Sequence, residues 1–231
     1  MTNTRNKENK LFLSGGGGAD DSKILDKAFV SLLGNGKMLY IPIAMPGGTI
    51  SYESCYDWIT STMSGVSDDF VEIDMCTDLK KLNFDMVKKY RAIYVGGGNT
   101  YKLLQDIEES GVKDSLLSAI NSGVIYYGGS AGAIIAGKSI ATVAEENDNE
   151  YKFEEGLSML GEYSVLCHYD GTQDEKIKKY IELNGHPVVA MPERSGLIVS
   201  GQKAVVAGLE GCFIFNKEEK KGIDVGTEII F

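Results

Sequence analysis

Apolar positions along this chain follow two alternating spacings. Apolar-rich runs fall at residues 11–13, 37–44, 70–74, 91–95 and 124–127, each short enough for one strand. Between them the apolar residues recur every three or four positions. Ile24, Leu25, Ala28, Phe29, Leu32 and Leu33 mark a helix over 20–33, closed by Gly34-Asn35-Gly36. Tyr52, Cys55, Tyr56, Ile59 and Met63 mark a second over 51–63. A short helical piece covers 84–90; Tyr101, Leu103, Leu104 and Ile107 mark another helix, and 112–121 a further one. Strand alternating with helix at this rhythm predicts right-handed βαβ units and a central, mostly parallel sheet covered on both faces.

The pattern continues with a strand over 163–167, and Thr172-Gln173-Asp174-Glu175 has the spacing of a capping box opening a helix through Ile177, Tyr180 and Ile181. Beyond it, short apolar runs at 188–191, 196–199, 204–207 and 212–215 are separated by Gly-rich turns. They predict an antiparallel meander at one edge of the sheet. No repeat or linker divides the chain, so residues 1–231 are expected as one α/β domain with a flexible tail over 1–9.

Composition narrows the partners. Lys plus Arg number 23 against 33 Asp plus Glu, a net charge of −10, and no basic block occurs. Nucleic acid and anionic membrane surfaces are therefore not expected partners. The four cysteines, Cys55, Cys76, Cys167 and Cys212, form no Cys-x-x-Cys pair, which argues against a zinc site or disulfide framework. No apolar leader core is visible near Met1, and a cytoplasmic location is expected. The apolar stretch over 124–144 is broken by Gly128, Gly129, Ser130, Gly132, Gly137 and Lys138, so it reads as strand, turn and helix and not as a membrane span.

The chemistry concentrates at loops that follow strands. Gly128-Gly129-Ser130-Ala131-Gly132 is a turn of small residues with one hydroxyl at its apex, between a strand and a helix start. That is the arrangement of a nucleophile elbow, in which the next amide, of Ala131, stands ready for an oxyanion. Gly96-Gly97-Gly98-Asn99 ends the preceding strand, where ligands bind in open parallel sheets, and the Gly97 or Gly98 amide is placed to be a second donor. Two histidines compete as base. His168 follows a predicted strand at its carboxyl end, whereas His186 lies in a turn at the amino end of the next. Glu193 ends another strand on the same edge and is the candidate orienting acid; Asp170 is read as a substrate contact or a helix cap. The Gly-rich loop 14–18 meets a Gly-x-Gly pattern only because nearly every position is Gly, and Asp20 stands where the last Gly of a dinucleotide fingerprint belongs. It reads as a tight turn where backbone approaches a site; no cofactor and no metal are expected.

Gly96-Gly97-Gly98-Asn99-Thr100, Gly129-Ser130-Ala131-Gly132, His168-Tyr169 and Pro192-Glu193 together resemble peptidase family S51, the family of aspartyl dipeptidases and cyanophycinases. The resemblance implies a three-layer sandwich like that of the class I glutamine amidotransferases, with an antiparallel C-terminal edge. It implies a Ser-His-Glu triad of Ser130, His168 and Glu193, an oxyanion hole of the Gly98 and Ala131 amides, and a short peptide substrate. Gly97, Asn99 and Asp170 are the accompanying candidate substrate contacts. Where aspartyl dipeptidases carry an Arg after the catalytic His segment, this chain has Tyr169-Asp170-Gly171-Thr172-Gln173-Asp174-Glu175, whose acids would repel an aspartyl carboxylate or solvate a helix start. The expected function is a cytoplasmic serine peptidase of the dipeptidase kind, monomeric or homodimeric. The alternative is a non-catalytic small-molecule or peptide-binding protein on the same scaffold, with Ser130 and His168 beyond hydrogen-bond reach.

Overall fold

Every apolar run of the amino-terminal half becomes a strand whose neighbouring residues face opposite ways. The computed structural model describes residues 9–45, 50–67, 69–143, 147 and 150–231. In it β1 (Lys10–Ser14), β2 (Met38–Ile41), β3 (Ile73–Met75), β4 (Ala92–Val95) and β5 (Ile125–Gly129) pair in parallel, in the order β1-β5-β4-β2-β3. Leu11, Leu13, Leu39, Ile41, Ile93, Val95 and Tyr126 enter one core. Phe12, Met38, Tyr40, Ala92, Tyr94, Ile125 and Tyr127 enter the other. A period of two with both faces apolar leaves no room for polar alternation, which is why these strands read as solid runs.

Helices cover both faces. On the side of Phe12 and Tyr127 lie α1 (Ala19–Leu33) and α2 (Tyr52–Ser64), contributing Leu25, Phe29, Val30, Cys55, Ile59 and Met63. On the other lie α3 (Phe84–Val87), α4 (Thr100–Ser110), α5 (Lys113–Asn121) and α6 (Ala131–Ile135). Local signals start and stop them: Ser51 accepts from the Ser54 amide, Asn99 from the Lys102 amide, and α4 ends on left-handed Gly111. Two helix faces differ from expectation. Ile24 and Leu32 of α1 and Tyr52 and Tyr56 of α2 are exposed, while Asp26 is wholly buried. Its carboxyl accepts hydroxyls from Ser22 (2.6 Å) and Tyr127 (2.5 Å), which offset part of the cost of its removal from water.

The C-terminal strands do not form one meander. β8 (Ser195–Ser200), β9 (Lys203–Gly208) and β12 (Glu228–Ile230) extend the central sheet antiparallel from β1. β6 (Ser164–Leu166), β7 (Val188–Ala190), β10 (Cys212–Phe215) and β11 (Lys220–Ile223) form a second sheet in the order β11-β10-β7-β6. That sheet turns Val165, Cys167, Val189 and Met191 to the main core and Leu166, Val188 and Ala190 to α7 (Asp174–Asn184). Its two apolar faces explain why these runs are indistinguishable in sequence from strands of the central sheet. β11 and β12 escape the apolar pattern because they are edge strands, the first rich in lysine. The capping box at Thr172 does not form. α7 starts from Gln173 without a side-chain cap, since the Thr172 hydroxyl donates to Asp170 and Asp174 is held by Tyr169 and Lys220. Of the expected tail, residues 1–8 lie outside the described residues, and Asn9 is tied to Asn121 by a 2.7 Å hydrogen bond. Among the described residues no helix is long and apolar enough to cross a membrane.

Candidate active site

Where β5 ends, the chain reverses through Ser130 with φ 47° and ψ −107°, a region that a residue with a Cβ enters at a cost of about 1–3 kcal/mol. The turn is held from both sides. The Ser130 amide donates to the Ser14 carbonyl (3.2 Å), and its carbonyl accepts from the amides of Ala133 (2.8 Å) and Ile134 (2.9 Å). The effect is to lift the hydroxyl out of the sheet toward the loops at the carboxyl ends of the strands.

The partners of that hydroxyl come from the second sheet. β6 and β7 pair in parallel, Ser164 beside Val188 and Leu166 beside Ala190, so the segments that follow them leave at the same end. One carries His168 and the other Glu193. His168 Nε2 lies 2.8 Å from Ser130 Oγ, and its Nδ1 lies 2.8 Å from Glu193 Oε1. A carboxylate accepts only, so Nδ1 carries the proton and Nε2 in the neutral ring is the acceptor for the Ser130 hydroxyl. His168 itself has φ 55°, and its backbone is pinned by its amide donating to the Gly15 carbonyl (2.8 Å) and by Gln173 donating to its carbonyl (3.2 Å). His186, by contrast, faces Glu162 at 3.3 Å and is no part of this constellation.

The loop 14–18 closes over the imidazole. Gly16 has φ 113°, and a methyl group built there would sit 2.2 Å from His168 Cε1, so only a residue without a side chain lets the ring occupy its place. Gly98 is constrained in the same way. At φ 135° a side chain would meet the Ala44 carbonyl oxygen at 2.3 Å. Gly97 brings the same loop to Ser130, its built Cβ lying 3.2 Å from the serine Cβ. Neither the Gly98 nor the Ala131 amide donates a hydrogen bond among the described residues, so both remain open to a ligand oxygen.

Two of the candidate contacts are engaged elsewhere. Asn99 Oδ1 accepts from the Lys102 amide as the cap of α4 (2.8 Å). Asp170 accepts from the amide (2.9 Å) and hydroxyl of Thr172, and these bonds hold its carboxyl below the usual range. Neither residue lines the cavities beside Ser130.

Those cavities contain the residues that motif reading passes over. One of about 500 Å³ is lined by Tyr40, Tyr94, Met45, Ile50, Cys55 and Trp58 together with Gly97, Gly98, Ser130 and His168. A second, of about 320 Å³, is lined by Ile134, Val143, Leu166 and Gln173 and shares Gly98, Ser130 and His168 with the first. Ser130 thus stands between two spaces, as a nucleophile does when a substrate extends to both sides of the bond attacked. Tyr40 and Tyr94 come from register-matched positions of β2 and β4, and the signal for them was their place near the carboxyl ends of parallel strands. Cys167, one residue from His168, is buried; its Sγ faces the Ser14 and Ser130 carbonyls, and burial pushes its thiol far above the ordinary range. Among the described residues no group of three His, Cys, Asp or Glu side chains is placed to hold a metal ion.

Comparison with known proteins shows what the chain as a whole is similar to. Residues 11–207 match the pattern of peptidase family S51. Peptidase E of Actinobacillus pleuropneumoniae (serotype 5b) is 29% identical over 150 residues, 60% of this chain and 63% of that protein. A Drosophila melanogaster protein named "Probable alpha-aspartyl dipeptidase" is 28% identical over 155 residues, 62% of this chain and 61% of that protein. The match thus spans less than two thirds of the length of either relative. The crystal structure of a peptidase from an acI-B1 Actinobacterium superposes with a TM-score of 0.74 at 20% identity, covering 98% of both chains.

Proposed function

The chain belongs to peptidase family S51, and from that premise we propose that it is a serine peptidase hydrolysing short peptides, dipeptides foremost, through Ser130, His168 and Glu193. The observation that carries the reading is the unbroken relay from Ser130 Oγ to His168 Nε2 (2.8 Å) and from His168 Nδ1 to Glu193 Oε1 (2.8 Å). The peptidase names of the relatives support it as well.

In this mechanism His168 Nε2 takes the Ser130 proton as Oγ adds to the substrate carbonyl. Glu193 keeps the ring in the required tautomer and offsets the imidazolium charge. The developing oxyanion is received by the Gly98 and Ala131 amides, each such donor contributing about 3–4 kcal/mol to the transition state. His168 then returns the proton to the leaving amine, and water, activated by the same nitrogen, releases the acyl group from Ser130. A space of about 500 Å³ on one side and about 320 Å³ on the other suits a substrate of one or a few residues on each side of the bond. The four cysteines are all free thiols, which supports a cytoplasmic setting.

A binding protein on this scaffold would hold Ser130 and His168 apart, and their 2.8 Å separation favours the hydrolase. The test is a dipeptide library screened with the parent and the Ser130→Ala protein, alongside labelling by a fluorophosphonate. Turnover in Ser130→Ala should fall by about 10³-fold or more, with a mass shift confined to the Ser130 peptide of the parent. Parent-level turnover in the variant would remove Ser130 from the role.

A further inference from the structure

We infer that the larger cavity beside Ser130 selects a substrate side chain that is large and uncharged, aromatic foremost, and rejects an acidic one; the inference rests on the peptidase reading above. Its wall is aromatic and already assembled. Tyr94 stacks on Tyr127 (centroids 4.3 Å apart) and receives Tyr40 (5.6 Å) and Trp58 (6.4 Å) edge-on. Met45 and Ile50 complete the apolar lining. Trp58 is the only tryptophan of the chain and is 41% exposed, so a large indole surface is left in water at the mouth of the site. A bound apolar side chain removes that surface from water, and edge and face contacts with an aromatic ring add to the gain.

Charge decides the other half. Among the described residues no lysine or arginine lines the cavity. Arg194, next to Glu193, faces Asp21 (3.7 Å) and Glu210 (3.5 Å), and Lys102 is paired with Asp106. One hydrogen bond behind the lining residue Ser22 lies the buried carboxylate of Asp26. A substrate carboxylate entering here would lose its water, find no cation and approach a second acid, each of which opposes binding. A lysyl side chain gains little in exchange, because both Asp26 oxygens already accept hydroxyls and the carboxylate lies behind the wall. Polar groups on this wall include the Tyr40 hydroxyl and the Trp58 indole N–H, neither of which is hydrogen-bonded among the described residues. Both suit a neutral polar atom at the tip of a large side chain.

The single tryptophan gives a readout independent of turnover. Ser130→Ala protein would be titrated with Phe-Ala and Ala-Phe and with the aspartyl and lysyl counterparts of each, following Trp58 emission with calorimetry in parallel. At least one phenylalanyl peptide should saturate with a change in emission, at a Kd tenfold or more below every aspartyl and lysyl peptide. Trp58→Ala in the otherwise unchanged enzyme should reduce the ratio of kcat/KM for the preferred phenylalanyl peptide over its alanyl counterpart by about tenfold. An aspartyl or lysyl peptide within tenfold of the best phenylalanyl one overturns the inference. So does a phenylalanyl peptide that binds by calorimetry without changing Trp58 emission, or the absence of binding by both. Fluorophosphonate labelling of the parent separates the two possible failures. A labelled Ser130 with an aspartyl preference sinks the specificity alone. An unlabelled Ser130 sinks the peptidase reading, and the titration then decides the preference of the cavity by itself.

Discussion

Adding one methyl group at Gly16 tests the geometry more sharply than removing a catalytic side chain. In Gly16→Ala the new Cβ would lie 2.2 Å from His168 Cε1, 2.6 Å from Nε2 and 2.7 Å from Nδ1. Carbon atoms in contact settle at about 3.5–4 Å, so the imidazole must withdraw by roughly 1 Å or more. The Ser130–His168 hydrogen bond then lengthens from 2.8 Å toward about 4 Å, beyond hydrogen-bond reach. A misplacement of about 1 Å costs about 10²-fold in rate, or some 2.7 kcal/mol of barrier. The backbone contributes a separate effect, since φ 113° is strained for alanine by about 1–3 kcal/mol, which in a domain of this size lowers Tm by about 2–4 °C per kcal/mol. The assay is kcat/KM on a cleaved dipeptide at 25 °C with a thermal melt of the same sample. Gly18→Ala is the control: it lies in the same loop, yet its Cβ would meet only Asp21 Oδ2, at an ordinary 3.8 Å. A folded Gly16→Ala protein with activity within threefold of the Gly18→Ala control would refute the claim that the loop is moulded on the His168 ring.

Three further outcomes follow from the same contacts. Glu193→Gln should lower kcat/KM by about 10²-fold or more, because its neutral amide can donate to Nδ1 and no longer fixes the Nδ1–H tautomer; a loss under threefold in steady-state kinetics would exclude Glu193 from the relay. Iodoacetamide should leave Cys167 unmodified, because burial keeps its thiol protonated and its Sγ faces the Ser14 and Ser130 carbonyls; inactivation that tracks a mass increment on Cys167 would point to thiol chemistry. Burial raises the Asp26 pKa above its unfolded value, more than the Ser22 and Tyr127 hydrogen bonds lower it. The native state therefore holds that proton more tightly, and the cost of ionising Asp26 grows as pH rises from about 4 through the raised pKa. Asp26→Asn cannot ionise, so its urea midpoint relative to the parent should climb from about pH 4 up to the raised pKa and level off above it. A relative midpoint that falls with rising pH would contradict the sign.

What was legible in the sequence was local in its physics. A strand buried on both faces is a solid apolar run wherever it sits, and the Gly98 and Ser130 loops announce turns whose small residues are required within a few positions. His168 and Glu193 stand out because both follow apolar runs, and the parallel pairing of β6 with β7 brings the two segments out at one end. The capping box at Thr172 misled because its two defining side chains take other partners within a few residues, the Thr172 hydroxyl donating to Asp170 and Glu175 accepting from Lys178. The burial of Asp26 has no local signal, because it depends on Tyr127, 101 residues away.

The division follows from the range of the forces involved. Helix periodicity, turn chemistry and the apolar content of strands are set by neighbours along the chain, and by itself the sequence determined the alternation of strand and helix and the loops that carry the chemistry. Strand partners are chosen by burial and register across long separations, which no local pattern encodes. Tertiary structure alone therefore decided that β6 and β7 leave the central sheet, that Gly16 faces His168, and that Tyr40, Trp58 and Tyr94 meet in one cavity. The catalytic candidates are consequences of where loops begin. The shape of what they act on is a consequence of which distant side chains the sheet brings together.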